Sequence, residues 1–239
     1  MKKISAIQEV QHLARTPKRT AVGRGHDPEM TRQNILEVAT REFAEKGYSG
    51  ARVDEIAAQT NTSKRMIYYY FEDKDGLFVA VLENAYRRIR EIEATLDLAH
   101  LKPDAAIRAL VGFTFDYQNS NEDFIRIVMV ENIHKGVHLA RSQVIQGLNM
   151  SVINTLRDIY KRGVKTGIFR KGIDEIDLHM TISALCFFNV SNRATFSQIF
   201  KRDISAPAML AKRRTVVVDT VIRYLRKCGL ASQLWRAVW

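Results

Sequence analysis

Hydrophobic residues recur along most of this chain at steps of three and four, the period of a helix with one buried face. The first run begins at "HDPEM", where Asp27 suits an N-cap, Pro28 the first helical position and Glu29 the positive end of the helix dipole. Ile35, Leu36, Ala39 and Phe43 then repeat, and Gly47 offers a left-handed stop, so the pattern predicts a helix over 28–46. Val53, Ile56 and Ala57 share one face of a short helix over 53–60, and Asn61-Thr62 makes a tight turn with Asn61 left-handed. Ser63 caps a third helix over 63–70. Asp73 caps a fourth, in which Leu77, Val81, Ala85, Ile89, Ile92 and Leu96 step by four and three. The pattern breaks at 97–104. Further helices are predicted at about 104–119, 122–134, 141–162, 175–197 and 206–228, with breaks at Gly136, "RGVKTGIFRKGID" and "KRDISAP". No stretch alternates as a strand does, and there is no internal repeat. The expected fold is all-α, with an N-terminal three-helix helix-turn-helix domain and a C-terminal helical bundle domain.

The stretch "SKRMIYYYFEDKDGLF" at 63–78 sharpens this picture. Three consecutive tyrosines on a helix point about 100° apart, so they cannot all face a core. Two short helices joined by a small turn and braced by longer ones form a helix-turn-helix, whose second helix enters the DNA major groove. Ser63 and Lys64 suit phosphates, Arg65 can reach guanine, and the Tyr68 and Tyr69 hydroxyls can reach flanking phosphates. Ile67, Tyr70 and Phe71 are better placed to pack inward.

Charge agrees with this reading. The net charge is +11 with a pI near 9.8, which favours polyanionic partners. Almost half of that charge sits in residues 1–26, where Lys2, Lys3, Arg15, Lys18, Arg19 and Arg24 oppose Glu9 alone. This segment is expected to be a disordered basic arm that adds non-specific attraction to DNA. Two cysteines, Cys186 and Cys228, are too few for a disulfide framework or a thiolate cage. With no apolar run of ~18 residues and no signal-peptide stretch, a cytoplasmic location without membrane contact is expected. There is no Gly-rich phosphate loop, no G-x-S-x-G and no H-E-x-x-H, so the chain does not read as an enzyme. Glu131, His134 and His138 have helical spacing for a metal, but Gly136 interrupts the helix and no fourth ligand appears. No metal or cofactor is expected.

The pieces "FAEKGY", "VDEIA", "SK…YYYF" and "DKDGLF" stand in the order and spacing of the TetR family of transcriptional regulators, which this chain resembles over about 50 residues. The resemblance implies a homodimer whose DNA-binding domain covers 27–75. A divergent domain over 76–239 would hold a small-molecule pocket and a dimerising helix pair. Most such proteins are repressors released from an inverted-repeat operator by a ligand. By matching position, Ser63, Lys64, Arg65, Tyr68 and Tyr69 would contact DNA and Lys74 a phosphate, with Arg52, Thr62 and Met66 completing the surface. The chain departs from the family at Ala51 and Arg52, which replace common hydroxyl residues by a methyl and a cation. It departs again at Asn61-Thr62, where Gly-Val is common.

The second half reads more coarsely. The apolar helix "EDFIRIVMVENIHKGVH" carries a few polar residues, as a pocket wall does. The pocket candidates are Phe113, Tyr117, Arg126, Met129, Asn132, His134, Phe187 and Phe188, with Arg126 or His134 meeting a carboxylated ligand. Leu178, Ile182, Leu185, Val217, Thr220 and Tyr224 are spaced for the dimerising helices that the resemblance implies. The order "NEDFIRIVMVENIHKG … GIFRKGID … SNRATFSQIFKRD" also resembles regulators of the breakdown of small aromatic or heterocyclic compounds. The expected function is a ligand-responsive repressor. The alternative is a basic helical module that binds nucleic acid or protein without sequence preference.

Overall fold

The computed structural model describes residues 27–227, so the basic arm at 1–26 and Cys228 lie outside the described residues. The chain is all-α. Its helices are α1 Pro28–Gly50, α2 Val53–Thr60, α3 Lys64–Phe71, α4 Lys74–Ala94, α5 Pro103–Ser120, α6 Glu122–Ile133, α7 Gln143–Lys165, α8 Glu175–Ser191, α9 Arg193–Phe200 and α10 Pro207–Leu225. A single 3-10 turn at Leu139–Arg141 joins α6 to α7. Among the described residues, no helix is long and apolar enough to cross a membrane.

The helix ends follow local chemistry. Asp27 accepts from the Glu29 amide at 3.0 Å, Ser63 from Met66 at 3.1 Å and Asp73 from Gly76 at 2.6 Å. Gly47, at φ 70°, breaks α1 where its stop is expected, and one further turn runs on to Gly50. Asn61 takes the left-handed conformation at φ 52°. Gly76 is required by space, since a Cβ there would stand 2.1 Å from the Phe71 carbonyl oxygen. That contact closes the corner between α3 and α4.

Two apolar cores hold the molecule. One gathers Ile35, Leu36, Phe43, Ile56, Ile67 and Phe71 with Leu77, Phe78, Val81 and Leu82 of α4. It also takes Ile127 of α6 and Ile145 of α7, so this core runs past residue 75 and borrows from the second half. The other packs α5, α7, α8 and α10 around Leu110, Phe115, Leu156, Phe169, Cys186 and Val221. Phe169 lies directly over Gly163, where any side chain would collide with its ring. The helix expected over 175–197 is in fact two, because the chain turns at Asn192 before α9.

Candidate DNA-binding surface and effector domain

Helix α3 is fixed from beneath and bare above. Ile67 and Phe71 are buried in the first core, while Ser63, Lys64, Arg65, Tyr68 and Tyr69 are exposed. Tyr69 stands out furthest, at 79% exposure, and Tyr70 is half-buried between Tyr69 and Phe71. The Ser63 oxygen accepts the cap bond, which leaves its hydroxyl proton for an outside acceptor. Lys64 Nζ rests 3.1 Å from Asp54 of α2 and 5.9 Å from the Tyr68 ring centroid. Arg65 has no ion pair or side-chain hydrogen bond among the described residues. Met66 is half-buried, and Arg52 is exposed with its amide directed to Glu42 at 3.3 Å. The Thr62 hydroxyl is tied to that of Thr60 at 2.7 Å, and Thr60 in turn donates to the Ile56 carbonyl, so Thr62 stiffens the turn.

Lys74 is engaged differently from an open phosphate contact. Its ammonium donates to the Ala51 carbonyl at 2.7 Å and lies 4.9 Å from the Tyr48 ring centroid. Burial holds its pKa below the usual lysine range, against the pull of Asp75 and Glu42. Two of its three N–H donors remain for a phosphate at the α4 terminus.

Behind this surface, polar contacts tie the reading unit to the second half. Tyr48 donates to Asp75, and Arg141 reaches the other Asp75 oxygen at 2.9 Å. Burial and the Asp75 carboxylate push the Tyr48 hydroxyl up to about 12. The Tyr48 hydrogen bond, with His138 and Arg141 nearby, holds Asp75 below the carboxylate range. His138 Nδ1 lies 2.7 Å from Glu131, whose other oxygen accepts from the amides of His138 and Leu139 at 2.8 and 2.9 Å. Ser142 closes the loop onto Glu83 of α4 at 2.6 Å.

This arrangement corrects the pocket assignment at His134, Arg126 and Asn132. His134 packs against the Tyr48 ring at 5.1 Å, at the junction of the two units. Arg126 is no buried cation. Its side chain is 49% exposed and paired with Glu122 one turn back at 2.7 Å, because α6 turns positions 122 and 126 to solvent. Asn132 is exposed as well. Tyr117 is buried beside Phe113 and Phe124, Met129 and Phe187 are half-buried, and Phe188 is exposed. Phe188 lines a shallow apolar groove of about 340 Å³ with Phe196, Ile204 and Met209.

The dimer assignment is corrected at four of its residues, while Thr220 and Tyr224 stay exposed on α10. Leu178, Ile182 and Val217 are buried in the protomer's own core, and Leu185 packs against it, so this stripe of α8 and α10 faces inward. The opposite stripe is the open one, with Ile176, Met180 and Phe188 on α8 and Val216, Thr220 and Tyr224 on α10 exposed.

Several buried polar groups that the sequence did not announce lie on α4, α5 and α8. Arg90 and Glu93 pair inside the bundle, Gln118 is buried on α5, and His179 of α8 is held down to about 4 by burial and then by the Arg90 charge. The available signal was their register. Arg90 and Glu93 follow Leu82 and Tyr86 along one stripe of α4.

Comparison with known proteins agrees with this architecture. Residues 35–81 match the family model described as bacterial regulatory proteins, tetR family, and residues 103–221 match that of the tetracyclin repressor-like C-terminal domain. The HTH-type transcriptional repressor NicS of Pseudomonas putida is 35% identical over 204 residues, covering 85% of this chain and 96% of that protein. The repressor AcnR of Corynebacterium glutamicum is 27% identical over 180 residues, covering 65% and 93%. The structure of FadR from Bacillus subtilis in complex with stearoyl-CoA superposes with a TM-score of 0.65 at 18% identity. It covers 82% of this chain and all of that one, a likeness of fold alone.

Proposed function

Because the chain belongs to the TetR family of bacterial transcriptional regulators, we propose that it is a homodimeric repressor that reads an inverted-repeat operator and is released by a small organic effector. The observation that carries this reading is α3, clamped by Ile67 and Phe71 while Ser63, Lys64, Arg65, Tyr68 and Tyr69 stay open. Arg65 is assigned to a base edge. Ser63, Lys64, Tyr69 and the free donors of Lys74 are assigned to phosphates, with Arg52 reaching the backbone from the α2 terminus. Two copies joined through the outer stripes of α8 and α10 would place their α3 helices in successive major grooves, about 34–36 Å apart. An effector releases the operator only by its differential affinity for a dimer whose α3 helices are wrongly spaced.

The test is a footprint of the purified chain on DNA upstream of its own gene and neighbouring genes, at physiological salt with excess random competitor. A protected inverted repeat is expected. Retention that depends on salt but on no sequence would replace the repressor by an indiscriminate basic module.

A further inference from the structure

Two segments that border the second core carry cations and nothing to balance them. Residues 159–173 hold Lys161, Arg162, Lys165, Arg170 and Lys171, residues 220–227 hold Arg223, Arg226 and Lys227, and neither segment except at Asp-free positions has an acidic side chain. Backbone contacts join the two: the Arg170 amide donates to the Leu225 carbonyl at 2.8 Å, and Phe169 and Arg226 form an isolated bridge. Tyr160 stiffens the corner by donating to the Arg170 carbonyl at 2.9 Å and accepting from the Ile173 amide at 3.0 Å. Arg162 is occupied by the carbonyls of Leu98, Ala99 and Leu101, and Arg170 by the Tyr224 carbonyl at 2.8 Å. Lys161, Lys165, Lys171, Arg223, Arg226 and Lys227 are exposed, and none has an ion pair or side-chain hydrogen bond among the described residues.

Folding does not call for this cluster. A helix C-terminus favours a cation or two, which accounts for Arg162 and Lys165 on α7 and Arg223 on α10. Lys161 and Lys165 stand one turn apart on α7, where like charges repel. The cluster is also the whole positive excess of the described residues. Outside these two segments they hold 22 cations against 25 carboxylates, and the reading unit over 27–75 holds seven against ten.

We propose that this cluster is a second DNA contact, taking a stretch of duplex other than the one under α3. It adds to the operator reading without depending on it. Six unpaired cations spread over two helix ends and the corner between them suit a partner that repeats its charge, and duplex DNA carries one negative charge about every 1.7 Å of its axis. Apart from Tyr224, the two segments expose no large apolar side chain, whereas a lipid surface is gripped by apolar side chains that sink into it. The contacts are to phosphates and carry no sequence preference. A chain that holds one stretch through α3 and another here draws the two together.

The test mixes the full chain with a random-sequence duplex fixed on beads and a second, fluorescent random duplex, at about 50 mM salt. The chain should carry the fluorescent duplex onto the beads. Lys161→Gln/Lys165→Gln/Lys171→Gln/Lys227→Gln removes four charges at exposed positions and should keep the helical circular dichroism. It should bind the bead duplex within about twofold of the original chain but capture the fluorescent one about tenfold less, with the salt slope of capture lower by about 3–4. Lys171→Gln/Lys227→Gln, outside every helix, should lower that slope by about 2. Undiminished capture by both variants would give the second duplex to the reading unit or the basic arm and overturn the proposal. So would the absence of capture by the unmodified chain. Capture of phosphatidylglycerol vesicles in place of the duplex, lost in the variants, would assign the cluster to a lipid surface and overturn it too. The operator footprint reports α3 and the capture reports the cluster, so each can fail without the other.

Discussion

The two halves of this chain solve packing with contacts of very different reach. In the reading unit the helix ends and the tight corner are set locally, although the core beneath them reaches Ile127 and Ile145: Asp27, Ser63 and Asp73 cap helices two or three residues away, and Gly76 meets Phe71 five residues back. In the effector unit the decisive contacts span the chain. Arg214 grips Asp116 at 2.9 Å, Arg108 reaches Asp219 at 2.9 Å, and Asn189 donates to Asn119 at 2.8 Å. The difference suits the recognition proposed for each half. Every duplex presents the same grooves and phosphates, so one local frame serves all operators. An effector has its own shape, which only side chains from several helices can match.

The sharpest way to break this contrast is to hollow the core beneath the local frame. Phe78 is fully buried among Phe43, Tyr48 and His138, and Phe78→Ala should destabilise the chain by about 3–5 kcal/mol in urea unfolding. A loss below about 1 kcal/mol would mean that the reading unit does not depend on this core.

A smaller effect separates the halves by pH. His179 has its folded pKa lowered from 6.5 to about 4, so the unfolded chain binds the extra proton first. Its neutral form therefore contributes stability that is whole above pH 6.5 and is lost as the pH falls toward 4. His179→Phe should flatten the fall in stability over that window by ~2 kcal/mol, read by thermal unfolding at successive pH values. An unchanged slope would place His179 in contact with water.

The smallest effects distinguish residues on α3. Arg65→Ala should lose about 1–3 kcal/mol on the operator and little on random DNA. Lys64→Ala, whose ammonium must first leave Asp54, should weaken both equally and lower the salt slope by about 1. Gel-shift titrations at several salt concentrations read both. Equal losses on both DNAs for Arg65→Ala would remove it from base reading.

The same contrast governs what could be read from the sequence. The caps, the left-handed Asn61 and the break at Gly47 were legible because each is written within a few residues. The outer face of α8 was not. Helix α8 is apolar on two sides, so its period marks stripes without saying which one the core claims, and Leu178 turned in while Met180 turned out. The end of α8 at Asn192 escaped because "VSNRAT" contains neither glycine nor proline. Arg90 and Glu93 were hidden in "RRIREIE", where alternating charge looks like a solvated face until α5 and α8 cover it. Arg126 misled for the opposite reason, since its apolar neighbours suggested burial that its own face of α6 does not have.

The Glu131 carboxylate has a mechanical consequence. By holding the amides of His138 and Leu139, it makes the end of α6 and the loop beyond it a single stiff arm. Through Arg141 and His138 that arm rests on Asp75, at the root of α4 and one tight corner from α3. A tilt of α6 would therefore be passed to that corner, as a crank turns a shaft. In a pair of such chains, a small rotation at each crank would appear as a larger change in the gap between the two α3 helices.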